Sequence, residues 1–157
     1  NALVERALQQ LKVPGRFERM LAQPDIFVDV GHNPHAARWL AGRLEAEKNA
    51  GSRVIAVYAA LGDKDVNGVL EAMKPVVDRW WLAGLAVPRG LSAQALYQRA
   101  HSVELDHCEC AETVSQAISS ARAIARPEDL VIVFGSFFTV AEARRLLLPG
   151  NDHDGSK

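Results

Sequence analysis

Ten residues constrain the fold of this chain more than any others: Asp25-Ile26-Phe27-Val28-Asp29-Val30-Gly31-His32-Asn33-Pro34. Ile26 to Val28 are apolar and β-branched or aromatic, which reads as a short strand covered on both faces. Gly31 opens a tight turn. Asn33 is a helix N-cap residue and Pro34 suits the first helical position. Ala37, Leu40, Ala41 and Leu44 then recur on one helical face. The unit is strand, polar turn, helix. In open α/β sheets such junctions lie at the carboxyl ends of the strands, where ligands bind. Asp29, His32 and Asn33 are the polar residues there. Asn33 is accounted for by capping, but a carboxylate that closes an apolar strand needs a partner or solvent, so Asp29 is a candidate functional residue.

The same alternation repeats along the chain. A strand is expected over Phe17 to Leu21, forming an antiparallel edge hairpin with the strand that ends at Asp29. Helix 34–49 follows, closed by Gly51. Further strands are expected over Arg53 to Leu61, Arg79 to Leu85, Val103 to Cys108 and Leu130 to Phe134. Helices carry Val69, Leu70 and Met73 after Asp65; Leu96 and Tyr97 after Ser92; Val114, Ala117, Ile118 and Ala121 after the Thr113/Gln116 capping box; and Val140, Ala143, Leu146 and Leu147 after Ser136. This predicts a three-layer α/β fold: a mainly parallel sheet of about six strands, one of them an antiparallel edge strand, with helices on both faces. Residues 1–11 read as a further helix and 151–157 as a disordered tail. The chain starts at Asn1, already in a helical pattern, which suggests a piece of a longer polypeptide.

Composition excludes several classes. The 157 residues, 48% of them apolar, suffice for one domain with a real core. A formal net charge of -1 gives no electrostatic case for nucleic acid or an anionic membrane. The longest apolar runs are too short to span a bilayer. Cys108 and Cys110, one residue apart, do not favour a disulfide, and with only two thiols a reducing, cytoplasmic setting is expected. His107 lies beside them, but no second ligand pair has metal spacing, so no metal site is expected.

Parallel strands share one carboxyl edge. Asp29 to Asn33, Gly62 to Asp65, Pro88 to Gly90 and Gly135-Ser136 therefore converge there. Gly135-Ser136 before a helix offers backbone N–H groups and a hydroxyl to an anion, although Ser136 also reads as a plain helix cap. Lys64 is placed to reach a phosphate or to pair with Asp63 or Asp65. Arg16 and Arg89 each sit in a Pro/Gly-containing loop that holds a guanidinium outward. His35 and His101 fall in helix patterns and read as structural or exposed. There is no G-x-x-x-x-G-K-[ST] loop, no G-x-G-x-x-G fingerprint and no G-x-S-x-G nucleophile. A nucleotide-using reaction needs its phosphate loop elsewhere.

Pro14-Gly15-Arg16-Phe17, Asp29-Val30-Gly31-His32-Asn33-Pro34, Gly62-Asp63-Lys64-Asp65, Pro88-Arg89-Gly90 and Gly135-Ser136-Phe137 occur in that order. Together they resemble the C-terminal domain of the bacterial bifunctional dihydrofolate synthase/folylpolyglutamate synthase family, in the Mur ligase superfamily. The resemblance runs to roughly Leu148. It implies a glutamate ligase domain over 1–150, with an N-terminal ATP-binding domain not contained in this chain. It implies ATP-dependent addition of L-glutamate to dihydropteroate or folate through an acyl phosphate, with ADP and phosphate released. The N-terminal domain would supply the phosphate loop, the Mg²⁺ ligands and most of the folate pocket, so this chain alone is expected to be inactive. The resemblance assigns Arg16 to ATP phosphate and to charge on the transferring phosphoryl group. It assigns Asp29 to the nucleotide through ribose hydroxyls, with Asn33 supporting the turn and Lys64 nearby. His32 and Ser136 would lie near the incoming glutamate. The whole enzyme is expected to be a cytoplasmic monomer. Two other readings compete: a sister ligase adding an amino acid to a cell-wall precursor, and a non-catalytic binding module of flavodoxin-like topology.

Overall fold

Six segments become strands because each is covered on both faces or on one, and helices supply the cover. The computed structural model describes residues 15–148. The helix expected over 1–11 and the tail 151–157 lie outside the described residues. The strands are β1 (Glu18–Leu21), β2 (Asp25–Asp29), β3 (Val54–Tyr58), β4 (Arg79–Ala83), β5 (Cys108–Ala111) and β6 (Leu130–Phe134). The helices are α1 (Pro34–Glu47), α2 (Val66–Met73), α3 (Ala93–Arg99), α4 (Val114–Ile124) and α5 (Phe137–Leu147), with a 3₁₀ turn at Ala100–Ser102. One six-stranded sheet has the order β1-β2-β6-β3-β4-β5. All neighbours are parallel except the β1-β2 edge pair. This is the expected three-layer architecture.

Residue alternation along each strand sorts the core into two layers. Phe27, Ala56, Tyr58, Trp80, Leu82, Ile132 and Phe134 face α1, α2 and α3. Ile26, Val28, Ile55, Val57, Trp81, Val131 and Val133 face α4 and α5. Each fully buried Leu, Ile or Val contributes about 1.5–3 kcal/mol through area removed from water. β6 is the pivot. It is inserted between β2 and β3, with Asp29 opposite Phe134 and Phe134 opposite Tyr58. The chain leaves β2 and β3 toward one layer and leaves β6 toward the other. The crevice above the carboxyl ends of these strands is a topological switch point.

The expected caps form, except that Gln116 of the Thr113/Gln116 box accepts from the Glu112 N–H at 3.2 Å rather than from that of Thr113. Asn33, Asp65, Ser92, Thr113 and Ser136 each accept from the backbone N–H three residues on. The strand expected over Val103 to Cys108 is corrected to Cys108–Ala111. Val103 instead closes the 3₁₀ turn, donating its N–H to the Ala100 carbonyl, and its side chain is buried under that turn. The true strand is an edge of low apolar content, paired only through Trp80–Cys108 to Ala83–Ala111. The strands expected over 53–61 and 79–85 are shorter than read, because Ala59, Ala60 and Leu85 continue as buried loop. The β1 strand starts one residue later than expected, and α1 ends at Glu47 rather than 49.

Candidate functional site

Asp29 joins two loops at the carboxyl end of β2. Its Oδ2 accepts from the Phe17 N–H at 3.0 Å, and its Oδ1 accepts from the Gly31 N–H at 2.7 Å. The Val30 N–H donates to the Gly15 carbonyl at 2.7 Å. These bonds lay the 15–17 loop across the turn that starts α1. Gly15 has φ +81°, and a Cβ there would meet Val30 Cγ1 at 2.8 Å, so only glycine fits. Asp29 is 1% exposed, and burial pushes its carboxyl above the ordinary carboxylate range. The two N–H bonds and Arg16 offset that only in part.

Arg16 stands above this carboxylate. Its Nε lies 3.9 Å from Asp29 Oδ2, and its side chain is 49% exposed. Its guanidinium rests over the Trp39 ring, 5.0 Å from the centroid. Trp39 is partly buried against the core from α1. The result is an outward cation with a fixed base.

Gly135 and Ser136 follow β6 on the other side of the crevice. Gly135 has φ +127°, and a Cβ there would lie 2.1 Å from the Ala59 carbonyl oxygen, so the turn is closed to any side chain. Ser136 is buried. Its Oγ accepts from the Thr139 N–H at 3.0 Å and pairs with Thr139 Oγ1 at 2.8 Å. Thr139 Oγ1 donates to the Ala59 carbonyl at 2.9 Å. Thr139 spends its proton on Ala59, so Ser136 donates to Thr139. The serine therefore holds the turn to β3, and its oxygen keeps one acceptor position.

The other sequence candidates spread along the same edge. His32 is exposed, with Nδ1 3.4 Å from the Val30 carbonyl. Asn33 Oδ1 is used by the Ala36 N–H at 2.8 Å, which is capping. Lys64 and Arg89 both lean on Asp63, at 4.0 and 3.6 Å. They stand after β3 and β4, apart from the Arg16–Asp29 pair in chain order across the sheet. Among the described residues no group of three or more His, Cys, Asp or Glu is close enough to hold a metal ion. Cys108 and Cys110 are both free thiols.

Sequence reading missed Trp39, Arg43 and Thr139. Phe17 stacks on Phe27 at 4.2 Å, and the Arg43 guanidinium lies 4.7 Å over the Phe17 ring. Trp39 lies off the apolar stripe of Ala37, Leu40, Ala41 and Leu44, Arg43 reads as solvated surface, and Thr139 reads as an ordinary helix residue. One signal was available: Trp39 and Arg43 are four apart on α1, so they share a face. What the site offers chemically is an exposed guanidinium, a glycine turn that lets a ligand approach backbone, and an exposed imidazole, all at one switch point.

Known proteins are similar to this chain in sequence and fold. A family model described as Mur ligase, glutamate ligase domain, matches residues 15–137. The dihydrofolate synthase/folylpolyglutamate synthase of Escherichia coli (strain K12) is 42% identical over 135 residues, covering 86% of this chain and 31% of that protein. The structure of E. coli FolC in complex with DHPP and ADP superposes with a TM-score of 0.79 at 40% identity, over 88% of this chain and 32% of that one. A bifunctional folylpolyglutamate synthase/dihydrofolate synthase with Mn, AMPPNP and L-glutamate bound gives 0.78 at 40% identity, over 87% and 32%. The chain thus spans about one third of the length of the relatives it matches. It belongs to the Mur ligase family, as a glutamate ligase domain.

Proposed function

We propose that this domain is one half of the active site of an ATP-dependent carboxylate–amine ligase that adds L-glutamate to dihydropteroate, to folate, or to both. The observation that carries the reading is the outward Arg16 guanidinium, braced on Trp39 and tethered to buried Asp29, at the switch point beside the Gly135-Ser136 turn. Support comes from relatives solved with ADP, AMPPNP, Mn and L-glutamate. An N-terminal domain outside this chain supplies the phosphate loop in this reading and closes on the edge described above.

The chemistry runs in two steps. A substrate carboxylate oxygen attacks the terminal phosphorus of ATP; ADP leaves and an acyl phosphate forms. The glutamate amine then attacks the acyl carbon. The tetrahedral intermediate loses phosphate and a proton, leaving the amide. Phosphoryl transfer needs positioned positive charge more than covalent help, and Arg16 supplies it. A divalent cation would neutralise phosphate charge in such a reaction, and in this reading the partner domain would hold it. His32 and the Gly135-Ser136 turn face the side where glutamate would enter, with the free acceptor position of Ser136 and the exposed imidazole as its contacts. Asn33 keeps the turn rigid, and Lys64 adds charge farther along the edge.

Asp29 works chiefly as a staple. Each of its oxygens accepts one backbone N–H and keeps acceptor capacity, but the group is 1% exposed, so a ribose hydroxyl reaches it only if the 15–17 loop lifts. The two free thiols support a cytoplasmic setting in this reading. The folate branch is favoured over a cell-wall precursor by the 42% identity to a dihydrofolate synthase/folylpolyglutamate synthase.

Replacing Arg16 with alanine in the full-length protein tests the reading. Turnover of ATP-dependent glutamate addition should fall by about 100-fold or more, with the unfolding midpoint unchanged. Near-normal turnover refutes the role of Arg16.

A further inference from the structure

The Arg16 loop is gripped by α1 at two points. Arg16 of the loop lies on Trp39 of the helix, and Arg43 of the helix lies on Phe17 of the loop. Trp39 and Arg43 are one helical turn apart, and Arg16 and Phe17 are consecutive. The two cation–π contacts are therefore reciprocal, two rungs between the same two segments. The loop needs such a grip. Gly15 and Phe17 both have positive φ, at 81° and 44°, and the Phe17 value is costly for a residue with a Cβ. Without the rungs, Asp29 holds the Phe17 backbone but sets no direction for the guanidinium, whose Nε is at 3.9 Å.

We propose that Trp39 is a positioning residue for the phosphate-facing cation: its indole face fixes the direction in which Arg16 points, and Arg43 clamps Phe17 so that the loop cannot roll. The proposal rests on the ligase reading of Arg16. An indole offers the strongest aromatic face for a guanidinium, and a contact through that face leaves the N–H donors at the guanidinium edge for phosphate oxygens. A freely rotating arginine in place of a braced one loses the benefit of orientation.

The test is a double-mutant cycle in the full-length protein, read by steady-state kinetics with ATP and L-glutamate varied separately. Trp39→Ala should lower kcat on the order of ten-fold, leave the KM for glutamate unchanged, and lose nearly all further effect when Arg16 is already alanine. Trp39→Phe, which keeps an aromatic face, should restore most of the loss. Should Trp39→Ala prove too unstable to assay, Trp39→Phe and Trp39→Leu are compared; only leucine should lower kcat. Equal effects of Trp39→Ala in wild-type and Arg16→Ala backgrounds, or full activity of Trp39→Leu, would overturn the positioning role. If Arg16→Ala itself leaves turnover intact, it is the ligase reading of Arg16 that fails, and the two failures are thereby distinguished.

Discussion

Asp29 closes β2 at the carboxyl end of the sheet, Asp129 immediately precedes the neighbouring strand β6 at the amino end, and each is 1% exposed. Their surroundings differ. Asp129 accepts from the Arg53 N–H at 3.0 Å, from Arg53 Nε at 3.1 Å, from Arg53 Nη2 at 2.9 Å and from the Arg126 N–H at 2.8 Å. Burial alone would raise its carboxyl, but the Arg126 N–H, the Arg53 donors and the Arg53 charge hold it below the ordinary range. Asp29 has two N–H donors and one looser, half-exposed guanidinium, and burial wins. The amino edge of the sheet saturates its carboxylate; the carboxyl edge leaves its carboxylate short of donors. A saturated carboxylate ties β6 to the start of β3. An undersupplied one, beside an outward cation, marks the edge where the protein gives up stability for a site.

The largest effect that separates the two is expected at Asp129. Asp129→Asn puts an amide against arginine donors and leaves part of Arg53 unpaired and half-buried. The cost should be about 3 kcal/mol by chemical denaturation. A cost well under 1 kcal/mol would show that the amino edge is not saturated in solution. Next comes the backbone of the carboxyl edge. Gly135→Ala drives a Cβ to within 2.1 Å of the Ala59 oxygen at φ +127°. We expect a loss of about 2–4 kcal/mol.

Acid titration sharpens the contrast, because the two signs are opposite. Asp129 has its folded pKa below the ordinary 3.8, so its stabilisation is in place above 3.8 and is lost as pH falls through the folded value. Asp29 has its folded pKa above 3.8, so its favourable contribution is in place below 3.8 and is lost as pH rises through the folded value. Against wild type, the destabilisation caused by Asp129→Asn should shrink on acidification. Relative to Asp29→Asn, wild type should lose stability as pH rises. Parallel pH profiles for the two variants would erase the distinction. The smallest stability effect is that of Asp29→Asn itself at neutral pH. One amide oxygen still accepts a backbone N–H and the buried charge is gone, so the change should stay within about 1 kcal/mol.

Much of this was legible in the sequence, and the reasons are local. Ile26 to Val28 and Leu130 to Phe134 are apolar throughout because strands at the sheet centre are covered twice. Asn33, Asp65, Ser92, Thr113 and Ser136 announce helix starts because capping is decided within four residues. The polar turns converge because parallel strands share an edge. What escaped is long-range. Cys108–Ala111 carries little strand preference and is held by Trp80 to Ala83 beside it. Asp129 lies in an Arg-Pro-Glu-Asp run that reads as surface charge, and only the fold brings Arg53 to it. Trp39 lies off the apolar face of its helix, and its contact with Arg16 depends on a loop more than twenty residues earlier.

The central claim is that the carboxyl edge serves chemistry and the amino edge serves the fold. One measurement addresses it directly: ATP-dependent glutamate addition by full-length Asp29→Asn and Asp129→Asn proteins, at a temperature below both unfolding midpoints. The account predicts that Asp29→Asn, nearly as stable as wild type, loses at least about ten-fold in turnover because the Arg16 loop is loosened, whereas Asp129→Asn, clearly less stable, turns over at nearly the wild-type rate. Wild-type turnover in Asp29→Asn, or a matching loss in folded Asp129→Asn, would contradict it.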